Sequence, residues 1–141
     1  MTPAKPKPVL AGVFRCSAEQ ASALKREAEA QRYLTASIDL PSEVTPAILF
    51  EGFASALRFP EWFGANWDAL ADCLTDLSWL DESGYLITLR GYGRAFPDGS
   101  ADAETLQGVL EDACSYWQAE GTPFGVLVED GPAVLAEVPT R

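Results

Sequence analysis

The sequence predicts an α/β fold: a small parallel sheet of three or four strands flanked by helices. Three observations predict it. Strand-like and helix-like segments alternate along the chain in the order β-α-β-α-α-β-α-β. The segments at 8–15 and 85–89 are continuously apolar, as in strands covered on both faces. A chain of 141 residues with 48% hydrophobic content can bury one ordinary core.

PVLAGVFR, residues 8–15, reads as the first strand. Ser17 opens a capping box with Gln20, and ASALKREAEAQ behind it is rich in helix formers. In YLTASIDL, residues 33–40, Leu34, Ala36, Ile38 and Leu40 share one side, which predicts a strand with one face more polar. Thr45 and Pro46 are the N-cap and first residue of the next helix, buried through Leu49, Phe53 and Ala56 or Leu57, with Pro60 as its stop. Gly64 makes a turn and Asn66 caps a third helix, whose Trp67, Leu70, Leu74 and Leu77 line one apolar face. YLITL, 85–89, is a buried strand, and RGYGRAFPDGS reads as a loop. Asp102 caps a helix carrying Leu106, Val109, Leu110, Ala113 and Trp117, and Gly121 stops it. PFGVLVED is expected as the last strand and GPAVLAEVPTR as a loosely held tail.

Composition excludes several kinds of chemistry. The chain has no histidine, which removes histidine-dependent triads, histidine acid–base catalysis and most zinc sites. GYG at 91–93 lacks the third glycine of a dinucleotide fingerprint, and no GxxxxGK[ST] occurs, so no cofactor is expected. Cys16, Cys73 and Cys114 form neither a disulfide framework nor a CxxC metal pair and read as buried free thiols of a reducing compartment, the cytoplasm. MTPAKPKPVLAGVF has no apolar core of a signal peptide, and no apolar run approaches the roughly 18 residues of a membrane span.

The formal net charge of −11 argues against nucleic acid and against an anionic membrane surface. It favours a cationic partner, or no charge-specific partner at all. The charge is concentrated: residues 59–89 contain no Lys or Arg, but hold Glu61, Asp68, Asp72, Asp76, Asp81 and Glu82. Acids four apart on a helix share a face and repel each other by a few tenths of a kcal/mol, roughly, per pair. Asp68 would sit in the first turn, where the dipole favours it; Asp72 and Asp76 would not. Trp67, Trp79 and Trp117 follow the apolar stripes and read as core. Trp62 and Phe63 lie in the turn ahead of the helix, so one of them can stand beside the acids as a binding hot spot. The residues leave two readings open. The carboxylates could be catalytic or hold Mg²⁺, although no phosphate-holding element stands near them. They could form an acidic module, a nucleic-acid mimic for a basic, non-nuclease partner.

LRFPEWFGANWDALADCLTDL, residues 57–77, resembles the signature of the barstar family, intracellular inhibitors of barnase-type ribonucleases. Glu61, Trp62, Phe63, Gly64, Asn66, Asp68, Ala69, Leu70, Asp72, Cys73, Leu74 and Thr75 match in order without a gap, and QAEG at 118–121 matches a weaker second segment. The resemblance covers about residues 34–130. It implies a barstar-like core over 33–130, an added βα unit over 1–32 and a tail over 131–141 in a single domain. It implies an inhibitor, not an enzyme, expected to be a monomer when free, whose partner is a basic ribonuclease or similar basic toxin. Asp72 would take the place of the substrate phosphate, with Asp68 and Trp62 contacting the nuclease beside it. The partner-binding set implied is Trp62, Asn66, Trp67, Asp68, Ala71, Asp72, Thr75 and Asp76. The chain departs from the pattern at Phe59 for Leu, Ala71 for Trp, Asp76 for Gly, and Tyr116 for a contacting acid of the last helix.

Overall fold

A computed structural model of the chain describes residues 10–97 and 100–139. Its elements are β1 (Gly12–Cys16), α1 (Ala18–Ala30), β2 (Leu34–Asp39), α2 (Pro46–Ala56), α3 (Trp67–Leu74), β3 (Tyr85–Arg90), α4 (Tyr92–Ala95), α5 (Ala101–Glu120), β4 (Phe124–Glu129) and β5 (Ala136–Glu137). The strands form one sheet in the order β2-β3-β4-β1-β5, and every pairing is parallel.

Even the most buried strands, β3 and β4, sort their side chains by alternation. In β3, Tyr85, Ile87 and Leu89 join the larger core cluster, while Leu86 joins a smaller one. In β4, Phe124, Val126 and Val128 go to the first cluster and Leu127 to the second. The period of two thus assigns the two sheet faces. The smaller face is covered by α1 through Ala21, Leu24 and Ala28. The larger is covered by α2, α3 and α5 through Leu49, Phe53, Leu70, Leu74, Leu106 and Leu110. The acidic helix α3 therefore belongs to the layer opposite α1.

Local chemistry sets the helix starts. Ser17 Oγ accepts the N–H of Gln20 at 3.1 Å and Gln20 Oε1 accepts the N–H of Ser17 at 2.9 Å, closing the capping box of α1. Thr45 Oγ1 accepts the N–H of Ile48, with Pro46 as the first residue of α2. Gly121 ends α5 in the left-handed conformation, with φ 78°.

The structure departs from the sequence expectation in five places. The sheet has five strands, not three or four, because the segment expected as a loose tail carries β5. Leu135 is buried, Phe14 pairs with Ala136, and the N–H of Val138 bonds to the Arg15 carbonyl. A strand of two residues offers no periodicity to read. β1 begins at Gly12, later than expected; residues 8 and 9 of that expectation lie outside the described residues. The segment after β3 is not all loop: Tyr92–Ala95 makes one helical turn because Tyr92 and Phe96 are buried with ring centroids 4.8 Å apart. Residues 98 and 99 of that loop lie outside the described residues, as do 140 and 141 of the tail. Ser100, not Asp102, caps α5, and Asp102 falls in its first turn, where the dipole favours an acid. Finally, α3 stops at Leu74 with Thr75 as its C-cap, so Asp76 and Leu77 lie beyond the helix.

Candidate functional site

The segment 57–79 builds an aromatic frame before it builds a helix. Phe59 meets Phe63 edge-on at 4.9 Å, Phe63 meets Phe50 of α2 at 6.4 Å, and Trp67 meets Phe50 at 5.0 Å. Trp79 closes the frame against Phe59 at 5.9 Å, its indole N–H donating to the Leu57 carbonyl at 2.9 Å. Such edge-to-face pairs each add about 0.5–1.5 kcal/mol beyond area burial. They hold the turn before α3 against α2.

At the end of this turn Ala65 has φ 50°, a left-handed conformation that costs a non-glycine residue roughly 1–2 kcal/mol. Asn66 follows as N-cap, its Oδ1 accepting the N–H of Ala69 at 2.8 Å, while its Nδ2 donates to the Gly64 carbonyl at 3.4 Å. A side chain at Gly64 would press on that amide, since an added Cβ would lie 3.3 Å from Asn66 Nδ2. The helix then buries Leu70, Cys73 and Leu74 and turns Asp68 and Asp72 outward.

The expected residues fall in two groups. Trp62, Asn66, Asp68, Asp72 and Asp76 are exposed, and Trp62 shows 64% of its surface while leaning edge-on against Trp79 at 6.3 Å. Trp67, Ala71 and Thr75 are half-buried. Trp67 packs on Phe50, and the Thr75 hydroxyl donates back to the Ala71 carbonyl at 2.9 Å, ending the helix. Asp76, off the helix, accepts the N–H of Ser78 at 3.3 Å. The buried Cys73 thiol is raised above its ordinary pKa by burial first, then by the charge of Asp76, then by that of Asp72.

The electrostatics are one-sided. The ion pairs found among the described residues, Arg15–Glu137, Arg90–Asp39 and Arg90–Glu129, all lie elsewhere, and α3 has no basic residue in its last turn. With α3 ending at Leu74, Asp72 occupies that last turn, where the helix dipole disfavours a carboxylate. No group of three or more His, Cys, Asp or Glu is placed to hold a metal ion among the described residues, and no helix there is long and apolar enough to cross a membrane. Sequence reasoning missed the left-handed Ala65, for which no residue type signals. Tyr116, which stands where the resemblance implies a contacting acid, is exposed.

A family model described as Barstar (barnase inhibitor) matches residues 33–129, the run from the residue before β2 to the end of β4. The chain belongs to this family, one of inhibitors and not of enzymes. β1, α1 and β5 lie outside the match. No curated protein matches the chain.

Proposed function

We propose that the protein inhibits a basic ribonuclease by inserting the exposed side of α3 into its active site. The observation that supports this is the pair Asp68 and Asp72, solvent-facing, one turn apart and without a basic partner among the described residues, with the exposed Trp62 in the turn ahead of them. A ribonuclease site must be basic to hold RNA phosphates. Carboxylates set on a rigid helix offer charge-assisted hydrogen bonds to the same groups. Asp72 takes the place of the substrate phosphate, and Asp68 and Trp62 grip the rim. Asn66 fixes the helix start, and Trp67, Ala71, Thr75 and Asp76 border the contact. The repulsion between the acids in the free protein is relieved when cations come between them. The three free cysteines are buried, which suits a reducing compartment, and the cytoplasm is the place proposed for the protein.

The test is calorimetric titration with a purified barnase-type ribonuclease at low and moderate salt. Tight 1:1 binding that weakens with salt and is lost in Asp72→Ala, with the circular dichroism spectrum retained, supports the reading. Absence of binding by the folded wild-type protein overturns it for that nuclease class.

A further inference from the structure

The family-matched core and the helix outside it enclose a polar cavity on the sheet face opposite α3. In β3, Leu86 joins the cluster under α1, and the period of two puts Thr88 and Arg90 on that same face. Thr88 lies in register with Ser37 of β2, and Arg90 with Asp39. Above them α1 presents Ala18, Ala21, Ser22 and Lys25, at the spacing of one helical stripe. The small residues that begin this stripe leave room beneath the helix. The result is a cavity of about 140 Å³ toward the C-terminal ends of β2, β3 and β4, the end of an open parallel sheet at which ligands generally bind. Residues 18–25 lie outside the family match, and Ser37, Thr88, Arg90 and Glu129 lie within it, so neither part makes the cavity alone.

The floor carries an unpaired hydroxyl. Thr88 is 6% exposed, in a strand that is otherwise apolar up to Arg90. Its hydroxyl makes no hydrogen bond among the described residues, yet those residues hold no buried polar side-chain atom without a partner. The oxygen therefore reaches the open space of the cavity. A hydroxyl so nearly buried is unfavourable unless something bonds to it. The Ser22 and Ser37 hydroxyls are likewise without a partner among the described residues. Lys25 forms no ion pair there, whereas Arg90 is held by Glu129 at 3.2 Å and by Asp39 at 3.5 Å. The first turn of α1 brings the positive end of its dipole, since the N–H groups of Ala18 and Glu19 have no carbonyl of their own helix to bond.

We infer that this cavity binds inorganic phosphate. Three hydroxyls, a lysine and a helix N-terminus are the donors of a small oxyanion site. Glu129, 8% exposed in the wall, decides which oxyanion. An ionised carboxylate only accepts hydrogen bonds. Phosphate near neutral pH still carries a proton to donate to it. Sulfate carries none and would meet the carboxylate as a like charge. Each water takes roughly 30 Å³ of liquid, so a space of about 140 Å³ holds such an ion with little water beside it. The inference stands apart from the inhibitor reading, because α3 lies in the other layer.

The probes are sodium phosphate and sodium sulfate, added to the full chain at pH 7 and constant ionic strength while backbone amide resonances are followed by NMR. Phosphate is expected to give saturable shifts at Ala18, Glu19 and Thr88, with sulfate weaker by at least about tenfold. Thr88→Val keeps the shape of the side chain and is expected to weaken phosphate binding about tenfold, with the rest of the spectrum in place. Glu129→Gln is expected to narrow the gap between the two ions. Shifts that do not saturate, equal binding of the two ions by the wild type, or undiminished phosphate binding by Thr88→Val would overturn the inference.

Discussion

Trp117 donates its indole N–H to the carbonyl oxygen of Leu74 across 2.7 Å. Leu74 is the last residue of α3, where a carbonyl has no partner within its own helix. The bond joins α5 to the acidic helix. Trp117→Phe keeps the ring's packing against Phe124 and Tyr85 but leaves that buried carbonyl unpaired. The expected cost is about 1–3 kcal/mol, read as a lower urea midpoint with an unchanged slope.

Asn66→Ala removes both the acceptor for the Ala69 N–H and the donor to the Gly64 carbonyl. Loss of an N-cap costs about 1 kcal/mol, and a helix of 8 residues has little else to define its start. Denaturant unfolding reads the loss. Asn66→Asp, which retains an acceptor, should recover most of it.

Asp72→Ala should leave the free protein as stable as before, or more so by up to about 0.5 kcal/mol. It replaces a poor helix former, lifts a repulsion with Asp68 and removes a negative charge from the dipole's negative end. The same substitution should abolish nuclease binding. A drop of more than about 1 kcal/mol in unfolding free energy would show that the carboxylate has a structural role instead.

The thiols set a pH dependence. Burial, with a smaller contribution from Glu111, pushes Cys114 up to about 12 from an ordinary 9.0. Burial, then Glu129 and Asp130, pushes Cys16 up to about 11. Above about 9 the unfolded chain loses these protons while the folded one keeps them. Their contribution to stability is therefore complete below that pH and is lost as the pH rises toward 11 to 12. Tyr85 and Tyr92, raised mainly by burial, act in the same direction above 10.0. A thiol reagent at pH 8 should label none of the three cysteines in the folded protein and all three in urea.

Where a local signal and a tertiary one agree, the chain is legible. Asn66, Leu70 and Leu74 announce α3 because cap chemistry and apolar spacing point the same way. Past Leu74 they part. Leu77 keeps the helical spacing and is buried, yet its φ is 50° and the helix has already ended. Apolar spacing reports burial, and burial can be met by a turn as well as by a helix; hence the spacing assigns Asp76 to a helix it does not join. Gly91 and Gly93 gave a loop signal, while the burial of Tyr92 and Phe96 imposes a helical turn. β5 is held mainly by backbone pairing and one buried leucine, a pattern no side-chain period encodes. Within the site, the acids were visible as a charge run, but the exposure of Trp62 and Tyr116 depends on which tryptophan each ring leans against.

β1 lies between β4 and β5, so among the described residues the first strand is sandwiched by the last two. Gly12 pairs with Gly125 and Phe14 with Ala136. During synthesis β1 leaves the ribosome before β4 and β5 and waits for both neighbours until the chain through β5 has been made. Closing loops of that length before any pairing is gained makes folding slow for a protein of this size. The region that matches the family, from β2 to β4, has its pairings between successive strands and can assemble earlier. The acidic helix is thus ready before the outer edge of the sheet is sealed.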